Sequence, residues 1–138
     1  MAAQSLTTDT SVIVPSLLKW HALHDAAVSA LSEVRRVPCH ALVEAFSVLT
    51  RLPGQRALRP AQAQQVLLHA FPDEPLVLNA GGHLAAIRRL VEAGVGGGRI
   101  YDAIVGATAA GAGARLVTAD RRALATYALV GADVQLLE

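Results

Sequence analysis

The chain has very little cysteine, lysine or aromatic surface. Cys39 is its one cysteine, so an internal disulfide and any cysteine-based zinc site are excluded. A lone thiol in so apolar a chain is expected to be a small buried residue. Lys19 is the only lysine, and every other cation is arginine. The guanidinium fork suits phosphate and carboxylate, although a GC-rich genome would produce the same bias. Charged residues are only 17% of the chain, and a net charge of +1 does not by itself call for nucleic acid. Long hydrophobic runs are missing too. A charge, glycine or proline breaks each candidate before the roughly 20 residues that a membrane span needs. Met1–Asp9 holds neither a basic nor an apolar leader region, so no secretory signal is expected, no membrane partner, and a cytoplasmic location.

What the chain has in abundance is small and apolar. Hydrophobic residues make up 53% of 138, more than the core of one small domain needs. Part of that surface is therefore expected to meet a partner or a second copy. No repeat, linker or low-complexity tail divides the sequence, which reads as a single domain, 1–138.

In order, Ser5–Thr8 reads as a short strand ending near Asp9, and a helix opens there with Asp9 or Thr10 as its cap. Trp20–Val34 carries apolar residues at Leu23, Ala27, Ala30, Leu31 and Val34, the spacing of one helix face. Arg35–Pro38 is a marginal strand because of its proline. His40–Leu52 is a strong helix closed by Pro53-Gly54, and Pro60–Phe71 is another. Leu76–Leu78 is a short buried strand. A helix from Asn79 or Gly82 runs to Ala93 and ends at Gly94. After Gly96-Gly97-Gly98 a helix starts near Asp102, followed by the strand Leu116–Thr118. Arg121–Leu129 is the last helix and Val134–Leu137 the last strand. Short apolar strands alternating with helices predict an α/β fold, an α/β/α sandwich around a mostly parallel sheet of four or five strands.

Four acids stand apart from the rest. In parallel α/β sheets ligands gather where the strands end. Asp9 ends the first strand and Asp120 follows the fourth. Asp102 lies in the first turn of the helix leading into that fourth strand. Helix direction taken alone would put it at the opposite end of the sheet, and the local pattern does not decide this. Glu44 lies on a mainly apolar helix face, with Ala41 and Val48 beside it, which is unusual for an unpaired charge. Taken singly, each aspartate can be a helix cap or first-turn acid worth about 1 kcal/mol. Taken together, carboxylates within about 5 Å would repel by roughly 3 kcal/mol per pair. Such a cluster takes up protons or a divalent cation. All-oxygen donors suit Mg²⁺ or Mn²⁺.

Thr8-Asp9-Thr10-Ser11-Val12, Glu44 in its apolar helix, Tyr101-Asp102-Ala103-Ile104-Val105 and Val117-Thr118-Ala119-Asp120-Arg121-Arg122 together resemble the PIN-domain family, and most closely the VapC toxins of bacterial type II toxin–antitoxin pairs. No single piece is specific; the ordered set of four acids, over about residues 5–137, carries the resemblance. It implies that Asp102 lies at the same sheet edge as Asp9 and Asp120. It also implies a metal-dependent endoribonuclease in which Asp9, Glu44, Asp102 and Asp120 bind Mg²⁺ or Mn²⁺, with Thr10, Ser11 and Thr118 as hydroxyls beside the site. Asp9, Glu44 and Asp102 would hold the metal while Asp120 orients the attacking water. Arg99, Arg115, Arg121 and Arg122 are the candidates for the RNA backbone. Many relatives carry a further acid just after the fourth; Arg121 and Arg122 stand there instead, which argues against a well-occupied second metal. The expected partners are a VapB-type antitoxin, the RNA substrate and a second copy in a homodimer. The competing class is a non-catalytic PIN-like module that binds RNA or protein.

Other chemistries fit less well. His21, His24 and Asp25 have helical spacing but read as surface polars, and His40, His69 and His83 lack companions. Ser11, Ser47 and Thr118 lack the Gly-x-Ser-x-Gly context of a nucleophile elbow. Gly111-Ala-Gly113 precedes a strand instead of following one, so a dinucleotide fingerprint fails.

Overall fold

The computed structural model describes residues 4–138. Met1–Ala3, part of the segment expected to carry no leader, lie outside the described residues. Three strands form the sheet: β1 (Leu6–Thr8), β2 (Arg115–Thr118) and β3 (Val134–Leu136), in the order β1-β2-β3. Both pairings are parallel. Thr8 aligns with Val117, and Thr118 with Leu136. All three strands therefore end at one edge.

The helices are α1 (Thr10–Leu17), α2 (His24–Ala30), α3 (Cys39–Thr50), α4 (Pro60–Ala70), α5 (Ala80–Ala93), α6 (Arg99–Gly111) and α7 (Leu124–Leu129), the last preceded by a 3-10 turn at Arg121–Ala123. Successive β2 side chains face opposite ways. Val117 packs with Val12, Ile13, Ala41, Ala45 and Leu49 from α1 and α3. Leu116 packs with Val105 and Ala109 from α6, Ala123 from the 3-10 turn and Tyr127 from α7. Helices thus cover both faces, the expected sandwich. None of the described helices is long and apolar enough to cross a membrane.

The sheet is narrower than expected. Arg35–Pro38 and Leu76–Leu78 meet only in one parallel bridge, Pro38 to Leu76. The Leu76 N–H donates to Val37 and the Cys39 N–H to Leu76, but Cys39 is already the first residue of α3, so the chain coils away and no ladder propagates. The Thr7 hydroxyl donates to the Arg36 carbonyl at 3.0 Å and holds this stretch beside β1. The helix expected over Trp20–Val34 is likewise confined to α2. The Leu23 N–H donates to the His21 imidazole at 3.0 Å, forming a turn in place of a first helical turn.

Cys39 is exposed, contrary to expectation. It is the first residue of α3, where its backbone N–H serves Leu76 and its side chain faces out. The end signals of the other helices hold. Asn79 caps α5 through the Gly82 N–H at 2.7 Å, Gly94 closes it in the left-handed conformation, and Pro60 begins α4.

Candidate active site

One small cavity, about 80 Å³, is lined by Asp9, Thr10, Ser11, Glu44, Asp102, Val105, Asp120 and Tyr127. All four predicted acids reach it, each from a different segment. Asp9 follows β1 and Asp120 follows β2, so both leave the sheet at the edge where the parallel strands end. Glu44 comes from the middle of α3. Asp102 comes from the first turn of α6. Only residues 112–114 join α6 to β2, so the helix runs antiparallel to the strand and begins where β2 ends. This geometry brings Asp102 to the same edge as Asp9 and Asp120.

Asp9 is the anchored member, buried at 5% exposure. Its Oδ1 accepts the Ser11 N–H at 3.0 Å and the Ser11 hydroxyl at 2.5 Å. Its Oδ2 accepts the Thr118 hydroxyl at 2.5 Å and the Tyr127 hydroxyl at 2.5 Å. Ser11 Oγ in turn accepts the Ala119 N–H at 2.8 Å, and Thr118 Oγ1 accepts the Asp120 N–H at 3.1 Å. The start of α1 is thereby tied to the exit of β2. Thr10 performs a similar service for Glu44, donating to its Oε1 at 2.8 Å. The three hydroxyls picked out beside the acids are therefore all engaged in orienting them.

Capping and site formation turn out to be compatible. Asp9 caps α1 through Ser11, and Asp120 caps the 3-10 turn through the Arg122 N–H at 3.0 Å. Asp102 is not a cap, because Gly98 holds that position in α6.

The charges feel one another. Burial pushes the Asp102 carboxyl up to about 6, with help from Asp120, Glu44 and Asp9, while His40 opposes the rise. Burial also raises Asp9, against the hydrogen bonds from Ser11, Thr118 and Tyr127. Tyr127, raised by its own burial and by the Asp9 carboxylate, remains a protonated donor.

A family model for the PIN domain matches residues 6–129. The chain belongs to the PIN-domain family. It is 40% identical over 132 residues to Ribonuclease VapC40 of Mycobacterium tuberculosis (strain ATCC 25618 / H37Rv), covering 96% of this chain and 98% of that protein. It is 39% identical over 130 residues to Ribonuclease VapC27 of the same strain, covering 94% of each. With likeness of this extent, it is a PIN domain of the VapC type.

The arginines of this PIN domain divide. Arg121 and Arg122 follow Asp120 directly and reach Glu138 at 3.7 Å and Asp120 at 3.6 Å. Arg99 opens α6, one turn before Asp102. Arg115 is not brought to the acids. It starts β2 opposite Leu6, at the far edge of the sheet, and pairs with Asp133 at 3.6 Å.

A hard divalent cation suits the donor chemistry of this PIN domain. Four carboxylates share one cavity, and their mutual repulsion is expressed in the raised Asp102. Among the described residues, no group of three or more His, Cys, Asp or Glu side chains is already arranged to hold an ion.

Tyr127 is the site residue that sequence reasoning did not find. It lies in α7, a six-residue helix, Leu-Ala-Thr-Tyr-Ala-Leu, that contains no acid or glycine to mark it. The available signal was a tyrosine inside a helix that packs in the core, since a buried phenol needs a hydrogen-bond partner.

Proposed function

We propose that this PIN domain is an endoribonuclease dependent on Mg²⁺ or Mn²⁺, and the toxin of a VapBC-type toxin–antitoxin pair. The observation that carries the reading is the meeting of four carboxylates from four segments in one cavity of a VapC-type PIN domain. The names of the relatives, both ribonucleases, support RNA as the substrate.

Asp9, Glu44 and Asp102 would hold the ion. When bound, the ion supplies a lowered pKa for water and neutralises phosphate oxygens. The protein side chains do the rest. Ser11, Thr118 and Tyr127 fix the Asp9 carboxylate, and Thr10 fixes Glu44. Asp120 orients the water that adds to phosphorus as the bridging P–O bond breaks. Arg99, Arg121 and Arg122 lie at the acid edge and would offset phosphate charge.

The apolar surplus supports a VapB-type antitoxin and a homodimer as partners. Val43, Phe46 and Leu68 are exposed around a groove of about 590 Å³ between α3 and α4. Val77, Leu84, Ile87 and Val91 are exposed on and just before α5.

One competing reading is a PIN-like module that binds RNA or protein without catalysis. Cleavage assays with Mg²⁺ or Mn²⁺ separate the two. Wild-type protein is expected to cut RNA, and folded Asp9→Asn and Asp102→Asn variants are expected not to. Undiminished cutting by both variants would sink the assignment. Millimolar Mn²⁺ that neither binds by calorimetry nor raises the melting temperature would favour the binding module.

A further inference from the structure

The chain has five aromatic residues besides histidine, one Trp, two Tyr and two Phe. One of them, Tyr101, is left 56% exposed beside the acids. Its ring lies parallel to the His40 imidazole, 4° between planes and 5.6 Å between centroids. At that separation parallel rings are offset and form a step, so the pair does not cover both of its faces. The location is as specific as the geometry. Tyr101 immediately precedes Asp102 on α6. His40 is one helical turn before Glu44 on α3, on the same helix face. His40 is close enough to Asp102 for its charge to act on that carboxyl.

An acidic cavity repels the phosphates of any RNA that approaches it. A neighbouring contact that ignores charge would help to hold the strand, and base stacking on an aromatic face is one, available to every base. On this ground we infer that the His40–Tyr101 step is a stacking platform for an unpaired nucleobase adjoining the phosphate at the acid cavity. The inference rests on RNA being the substrate. It assigns Tyr101 a specificity role, favouring single-stranded or looped RNA over duplex, whose stacked bases cannot reach a side-chain ring.

The test uses the full chain and a 12-nucleotide single-stranded RNA carrying 2-aminopurine, mixed in EDTA so that binding is read without metal-dependent cutting. Stacking of the fluorescent base on the platform is expected to quench it. Tyr101→Phe should keep the quenching. Tyr101→Leu, similar in bulk but not aromatic, should lose it and bind about tenfold more weakly, and His40→Ala should show a smaller loss. Circular dichroism melts of the variants check that the fold is intact, which the exposure of Tyr101 favours. In Mn²⁺, cleavage by Tyr101→Leu should show a raised KM with kcat nearly unchanged. The platform is overturned if wild-type protein gives no quenching, or if Tyr101→Leu quenches and binds as wild type does. It is also overturned if Tyr101→Leu keeps RNA binding and weakens only a protein partner. Quenching without any Mn²⁺-dependent cleavage would support the platform and count against the nuclease reading, so the two fail separately.

Discussion

The Tyr127 hydroxyl donates to Asp9 Oδ2 at 2.5 Å across 118 positions of sequence. It joins α7 to the end of β1 and sets one face of the most buried carboxylate in the site. Tyr127→Phe keeps the ring and removes only this donor. A hydrogen bond to a charged group contributes about 1.5–3 kcal/mol, so a drop in stability of that order is expected in urea unfolding. Asp9 would also lose one of the bonds that hold its pKa down against burial. Its carboxyl should therefore need a higher pH to ionise, and the acidic limb of the pH–rate profile should move upward. A variant with an unmoved acidic limb would show that Tyr127 only packs.

Gly106 is what lets Tyr127 sit there. A Cβ at this position would lie 2.8 Å from Val130 Cγ2 and 2.9 Å from Tyr127 Cδ1, closer than such atoms approach. Ordinarily Gly→Ala within a helix stabilises by about 1 kcal/mol. Here the sign should reverse, with Gly106→Ala destabilising by about 1–3 kcal/mol through overpacking and losing cleavage as Tyr127 is pushed from Asp9. Gly111, in the same helix, has open space around its would-be Cβ. Gly111→Ala should be neutral or stabilising by up to about 1 kcal/mol. Melting curves of the two variants check the contrast.

The parts of this site that were legible in the sequence are those set by local chemistry. Asp9 and Asp120 stand where short strands stop, and Glu44 shows as a charge in an apolar helix. Asp102 was ambiguous because its position depends on the direction of α6 relative to β2, which becomes plain only once the short connection at 112–114 is seen to reverse the chain. Two expected strands meet in a single bridge because the chain turns into α3 at Cys39, directly after Pro38, earlier than the pattern of apolar residues suggests. Tyr127 was invisible because its partner lies in the first strand-to-helix junction and nothing near α7 points there. Cys39 was misjudged for a related reason: residue type predicts burial on average, and the start of α3 faces outward.

Thr10 offers a test of how firmly the second carboxylate must be held. Its hydroxyl donates to Glu44 Oε1 at 2.8 Å. Thr10→Val preserves shape and removes the donor, and the stability change should stay within about 1 kcal/mol because both groups are only partly buried. Cleavage in Mn²⁺ should fall about tenfold, the weight of a small loss in positioning. Thr10→Ser, which restores the hydroxyl, should recover most of the activity. Equal rates for Val and Ser would show that Glu44 is oriented by something else.

Asp102 provides the clearest separation of function from stability. Its carboxyl keeps its proton up to about pH 6 in the folded chain, whereas an unfolded aspartate gives it up near 4. Between those values the folded state binds more protons than the unfolded state, so this group makes the metal-free protein less stable as pH rises from about 4 through about 6, and the loss is complete above that. The carboxyl is partly exposed and screened by solvent, which limits the effect to about 1 kcal/mol, or roughly 3 °C in melting temperature. Asp102→Asn removes the repulsion with Asp120, Glu44 and Asp9. In EDTA at pH 7.5 the variant should therefore melt higher than wild type, and the difference should shrink toward pH 4. In millimolar Mn²⁺ the order should invert, because wild-type protein gains stability from the ion and the variant does not. The variant should be inactive throughout. A variant that is inactive and also less stable in EDTA would mean that Asp102 supports the fold, and the like-charge account of the site would be wrong.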